Sequence, residues 1–169
     1  MRLLPVLAVL ITCCGRAAIA DEPPPPPAAR PALLAALDGR WIMRGDVMGE
    51  PVTYALEAGP TLGGSFTELH MTDVQVPPQY EARVFIGVAP DDGTVIAHWL
   101  DSFGAKFSAP HGTGVITGNT VQFTIAYADG PFRDTLAYDP DEGAWTLVIE
   151  ASQPGGAWRH FARYDIRRD

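Results

Sequence analysis

The chain is poor in cysteine, in basic side chains and in long apolar runs, and each shortage excludes a class of function. Its two cysteines, Cys13 and Cys14, both lie in a leader-like stretch, residues 1–20. There Arg2 precedes an apolar run from Leu3 to Ile11, and Ala18-Ile19-Ala20 places small residues where a signal peptidase reads. Cleavage after Ala20 leaves no cysteine in the mature chain, which excludes disulfides, thiolate metal sites and cysteine nucleophiles together. The apolar run is shorter than the roughly 20 residues that span a bilayer, and no later run is longer, so no transmembrane span is expected. The whole chain carries 12 basic and 20 acidic side chains. Without Arg2 and Arg16 the balance is 10 against 20, a formal charge of −10 with no basic stripe. Such a surface repels nucleic acid, and none is expected as a partner.

The expected location is the periplasm, after export. The alternative is a membrane-anchored lipoprotein, because Leu10-Ile11-Thr12-Cys13 and Ile11-Thr12-Cys13-Cys14 resemble a bacterial lipoprotein box, with a lipid anchor at Cys13 or Cys14. Thr12 and Cys13 depart from the Gly or Ala expected before the modified cysteine.

Residues 21–31 form a linker in which Pro23 to Pro27 favour a stiff polyproline II spacer that cannot join a sheet. Residues 32–169 are expected to form one domain. Behind Pro31, Ala32 to Asp38 predicts a short helix with Leu33, Leu34 and Leu37 on one apolar face, packed as a lid. From Gly39 onward, short alternating runs are broken by turn residues every eight to twelve positions. Examples are Val52-Tyr54-Leu56, Val121-Phe123-Ile125-Tyr127 and Trp145-Leu147-Ile149, punctuated by Gly118-Asn119 and Asp129-Gly130-Pro131. About ten strands are predicted, starting near Arg40, Pro51, Gly64, Tyr80, Thr94, Thr113, Thr120, Phe132, Ala144 and Ala157. The expected class is all-β, an antiparallel up-and-down barrel of about eight to ten strands with one short N-terminal helix. Closure removes the edges that a long meander otherwise exposes. A two-sheet sandwich is the alternative.

Gly39-Arg40-Trp41, directly after the short helix, resembles the G-x-W of lipocalins and their calycin relatives. In that family the Trp closes one barrel end beneath a basic residue of the last strand, a role the resemblance offers to Arg163 or Arg167. Leu62-Gly63-Gly64-Ser65-Phe66, Gly87-Val88-Ala89-Pro90-Asp91 and His98-Trp99-Leu100-Asp101-Ser102-Phe103-Gly104 resemble segments of a bacterial family of lipocalin-like barrels of unestablished activity. Ala89-Pro90 departs from that pattern, which has Tyr before the turn. The likeness covers most of Leu33 to Arg167 and implies a fold rather than a reaction.

Strand parity groups the residues that could carry chemistry. Phe66, Glu68, His70 and Thr72 share one face of the third strand, with Thr67, Leu69 and Met71 opposite. Val95, Ala97, Trp99 and Asp101 share a face of the fifth, and Trp158, His160, Ala162 and Tyr164 one of the last. If Phe66, Trp99 and Trp158 face inward, Glu68, His70, Asp101 and His160 do too, and a His beside a carboxylate suits acid–base work. The opposite parity buries Leu69 and Met71 and leaves Glu68 and His70 in water. Asp101 has a plainer reading as a cap on the turn that follows it.

The four histidines, His70, His98, His111 and His160, lack metal-ligand spacing, and no metal is expected. Nitrobindin-type barrels hold haem through a late His, which would correspond to His160, but no cofactor is the leading expectation. Gly63-Gly64-Ser65-Phe66-Thr67 and Leu100-Asp101-Ser102-Phe103-Gly104 each lack one glycine of a nucleophile elbow. The leading function is therefore an interior that binds a small, mostly apolar molecule. Trp41, Phe66, Phe85, Trp99, Phe123 and Trp145 would form its walls, and His70, Asp101, Arg133 or His160 would orient a polar end. The alternatives are a cofactor-independent enzyme using His70 or His160 with Glu68 or Asp101, and a structural envelope module with a filled core.

Overall fold

The computed structural model describes residues 30–169, so the expected signal, lipid anchor and most of the proline linker lie outside the described residues. A helix, α1 (Ala32–Ala35), precedes ten strands: β1 (Gly39–Val47), β2 (Glu50–Thr61), β3 (Phe66–Asp73), β4 (Glu81–Val88), β5 (Val95–Asp101), β6 (Gly112–Thr117), β7 (Thr120–Tyr127), β8 (Gly130–Asp139), β9 (Ala144–Ser152) and β10 (Trp158–Arg168). Each strand pairs antiparallel with its chain neighbour, and β1 pairs with β10, so the sheet closes into a barrel. The expected barrel is formed and the sandwich is not. β3 begins at Phe66 rather than near Gly64, because Leu62–Gly64 makes a tight turn in which Gly63 and Gly64 adopt φ of 69° and 89°. Those angles favour glycine and stop the ladder.

Alternation decides what fills the lumen. In β3, Thr67, Leu69, Met71 and Asp73 are buried, while Phe66, Glu68, His70 and Thr72 face out. β7 buries Val121, Phe123 and Ile125, and β9 buries Trp145, Leu147 and Ile149. In β10 a bulge between His160 and Ala162 resets the parity. Ala162, Tyr164 and Ile166 are buried, whereas His160 is exposed, so the two halves of the strand do not share one face as expected.

One end of the barrel is plugged. Leu34 and Leu37 are wholly buried, and the Trp41 indole N–H donates to the Leu37 carbonyl oxygen at 2.6 Å. The basic residue over Trp41 is Arg168, not Arg163 or Arg167. Arg168 lies directly opposite Trp41 in the β1–β10 ladder, with its guanidinium carbon 3.7 Å from the ring centroid. Its Nη1 also donates to the Asp38 carbonyl oxygen at 2.7 Å. Arg163 and Arg167 are on the opposite parity and meet Asp165 and Glu142 outside. Two glycines let the wall draw tight: a Cβ on Gly45 would sit 1.7 Å from the Arg163 carbonyl oxygen, and one on Gly114 1.8 Å from that of Gln122.

Candidate functional site

The unplugged end is ringed by the connections 47–50, 73–81, 101–112, 127–130 and 152–158. Inside it lies a cavity of about 450 Å³. The same strands that bury aliphatic side chains near the plug present tyrosine, tryptophan and aspartate here. β2 turns from Leu56 to Tyr54, β10 from Ile166 to Tyr164, β7 from Ile125 to Tyr127, and β5 from Ala97 to Trp99 and Asp101. Tyr80, just before β4, joins them. Its ring lies 5.5 Å from that of Tyr54, which lies 5.7 Å from that of Tyr164. Phe132 and Phe161 meet edge to face at 5.0 Å and also line the cavity. Phe161 occupies the inward place that the β10 bulge denies to His160.

Three buried or cavity-lining carboxylates stand in this half: Asp73, which accepts the Gln75 and Gln79 backbone N–H groups at 3.1 and 3.2 Å beside Tyr54, Asp101 and Asp134. The Trp99 Nε1–H donates to the Tyr80 hydroxyl at 3.1 Å, and that hydroxyl points at Asp101 Oδ2 at 3.5 Å. Asp101 Oδ1 accepts the Phe103 backbone N–H at 3.0 Å, so the aspartate both caps its turn and faces the cavity. Asp134 in β8 is different. It is 2% exposed, lines the cavity, and makes no side-chain hydrogen bond among the described residues. Burial alone pushes its carboxyl up to about 8, because a charge there would lack water or a partner. Tyr127 is pushed up to about 12 by burial and by the charges of Asp134 and Asp101. Burial also raises Tyr54, Tyr80 and Tyr164 above their ordinary value.

The rim is apolar and exposed. Phe103 and Phe107 rise from the β5–β6 connection and Val76 from the β3–β4 connection, with Met48 at the β1–β2 turn. Lys106, between the two phenylalanines, is the only lysine of the chain and also lines the cavity.

Of the residues expected at a site, the structure brings only Trp99 and Asp101 to the cavity. Trp41 and Trp145 are fully packed within the plugged half, and Phe123, directly across the ladder from Asp134, is buried at mid-barrel without lining the cavity. Phe66 and Phe85 face outward, as does Glu68, which pairs with Arg83 across the outer surface. His70 hydrogen-bonds Glu81 at 2.8 Å, and His160 hydrogen-bonds Asp46 at 2.6 Å, both outside the barrel. Arg133 is outside too, held by Glu150 at 2.6 Å and stacked 4.5 Å over Trp158. The expected lumenal pair of His and carboxylate is therefore not assembled, since every proposed histidine has the outward parity. No group of three or more His, Cys, Asp and Glu side chains suited to a metal occurs among the described residues. Asp134 was missed, although Phe132, Asp134 and Leu136 alternate in plain view and the two apolar neighbours mark the inward face.

No protein-family model matches the chain, and no curated protein matches it in sequence. Among solved structures, the crystal structure of Rv2717c from M. tuberculosis superposes with a TM-score of 0.58 at 16% identity, covering 83% of this chain and 99% of that one. The likeness is one of fold. It extends to a bacterial protein of nearly the same length as the barrel and carries no residue of the site across.

Proposed function

We propose that this barrel binds one small, mostly apolar molecule in the unplugged half of its lumen. The cavity of about 450 Å³ carries this reading. It falls within the roughly 300–1,000 Å³ of small-molecule sites, and its walls are aromatic with few polar groups. A purely structural barrel would fill that space, as this one does around Trp41, Phe123 and Trp145. The leader read at residues 1–20 would put the binder in the periplasm, and the lipocalin-like motifs are in keeping with such a role.

The test is thermal denaturation with a panel of C10 alcohols, amines and acids, alongside a cavity-filling Ile149→Trp variant; Ile149 lines the cavity. Binding should raise the Tm of the native protein in a concentration-dependent way and should be lost in the variant. A panel that leaves the native Tm unchanged refutes the proposal.

A further inference from the structure

Resting on the ligand-binding reading, we propose that the cavity selects a lipophilic amine, its ammonium group bound at Asp134 with Asp101 and the tyrosine faces as further partners. The inventory of charges carries this. The cavity presents Asp134 and Asp101 along its walls and Asp129 at its mouth, against one cation, Lys106, which stands at the rim. The arginines nearest in sequence to these elements point elsewhere: Arg133 to Glu150, Arg163 to Asp165, and Arg168 to the plugged end. A carboxylate ligand entering head first would meet like charge and no buried donor cation. A neutral ligand that offers no hydrogen bond would displace water from the Asp134 carboxyl, which lines the cavity, and put nothing in its place, a costly exchange for a polar group. An ammonium group supplies what is missing, three donors and an opposite charge. The faces of Tyr54, Tyr80, Tyr164 and Trp99 add attraction for a desolvated cation. At roughly 30 Å³ per water-sized group, 450 Å³ corresponds to about 15 such groups, room for a ten-carbon chain with its head.

The proposal has a pH signature. The titratable groups that share the cavity with Asp134 are Tyr127 from the neighbouring β7, whose ionisation its charge opposes, and Asp101, Tyr54, Tyr80 and Tyr164, with buried Asp73 behind Tyr54. Lys106 and Asp129 stand at the mouth, and β9 contributes only apolar Ile149 beside it. The tyrosines, all raised, stay neutral through pH 8. Asp134 itself, with its carboxyl near 8, is mostly protonated at pH 6 and must release that proton to pair with an ammonium. Affinity for an amine should then rise close to tenfold per pH unit from pH 6 and level off near pH 8. A ligand that accepts a hydrogen bond from the neutral acid would show the reverse.

Decylamine, decanol and decanoate are titrated into the full chain at pH 6 and pH 8, with Trp99 in the cavity as a fluorescence reporter. The expected order at pH 8 is amine, alcohol, acid, with about tenfold or more between the first two. The amine should gain about thirtyfold or more from pH 6 to pH 8. In Asp134→Asn the amine-to-alcohol ratio should fall to about one, and in Asp101→Asn it should fall severalfold. Should Asp134→Asn fail to fold, the pH profile of the native protein and Asp101→Asn still decide. Equal affinity for amine and alcohol, a preference for decanoate, or amine affinity independent of pH overturns the amine proposal while leaving cavity binding intact. If none of the three binds, cavity binding itself fails.

Discussion

Asp134→Asn in the ligand-free protein isolates the energetic consequence of burying a carboxylate. The native carboxyl titrates near 8, whereas in the unfolded chain it titrates near 3.9. Its folded value is raised, so the unfolded state gives up the proton first as pH increases. The stability this group allows is fully present below about pH 4 and declines as pH rises toward 8, above which the loss is constant. Each unit in that window costs about 1 kcal/mol or a little more, so the burden grows from about 1–2 kcal/mol at pH 5 to about 4 kcal/mol at pH 7. Asparagine keeps the shape and cannot ionise, so its own cost does not change across this range. Urea unfolding at pH 5, 6, 7 and 8 should therefore show the variant gaining on the native protein by about 3 kcal/mol between pH 5 and pH 7. The other ionisable groups are common to both proteins and cancel in the difference. Parallel stability profiles would refute the reasoning, because they would mean that Asp134 ionises as freely in the barrel as in water.

Three further outcomes test the architecture. Arg168→Ala should cost about 1–2 kcal/mol by losing the stack on Trp41 and the bond to the Asp38 carbonyl, while Arg163→Ala and Arg167→Ala should be near neutral in the same urea assay. Gly45→Ala should destabilise by about 3 kcal/mol or prevent folding, since the added methyl meets the Arg163 backbone rather than a movable side chain; Gly59→Ala, with open space around it and no left-handed φ, is the steric control. Leu34→Ala should cost about 2–5 kcal/mol and raise the accessibility of the Trp41 indole to a fluorescence quencher, because Leu34 is wholly buried in the plug.

Much of the barrel was legible because alternation and turn residues are local signals. The ten strand starts fall within two residues of their expected places, and the helix ahead of Gly39-Arg40-Trp41 forms the lid that its leucines predict. What was not legible is absolute phase. A strand such as β3 offers two self-consistent faces, Phe66-Glu68-His70 or Leu69-Met71, and only closure against β2 and β4 selects the second. The bulge after His160 is still less visible, since one unpaired residue in β10 moves a histidine from the lumen to the surface with no change in composition.

The phase, once set, explains why a single fold is both plugged and open. Each inward series changes chemistry along its length: Ile166 to Tyr164 in β10, Leu56 to Tyr54 in β2, Leu136 to Asp134 in β8. At the Trp41 end these residues meet α1 and pack without a large void. At the other end no helix covers the lumen among the described residues, and the tyrosines carry hydroxyls that need partners. A wholly apolar mouth would favour collapse or self-association, and a wholly polar one would not hold an apolar molecule. Tyrosine with a few carboxylates gives the cavity walls apolar faces and polar groups together. On the proposed reading, filling the site with a cation should relieve the destabilisation that Asp134→Asn measures in the empty protein.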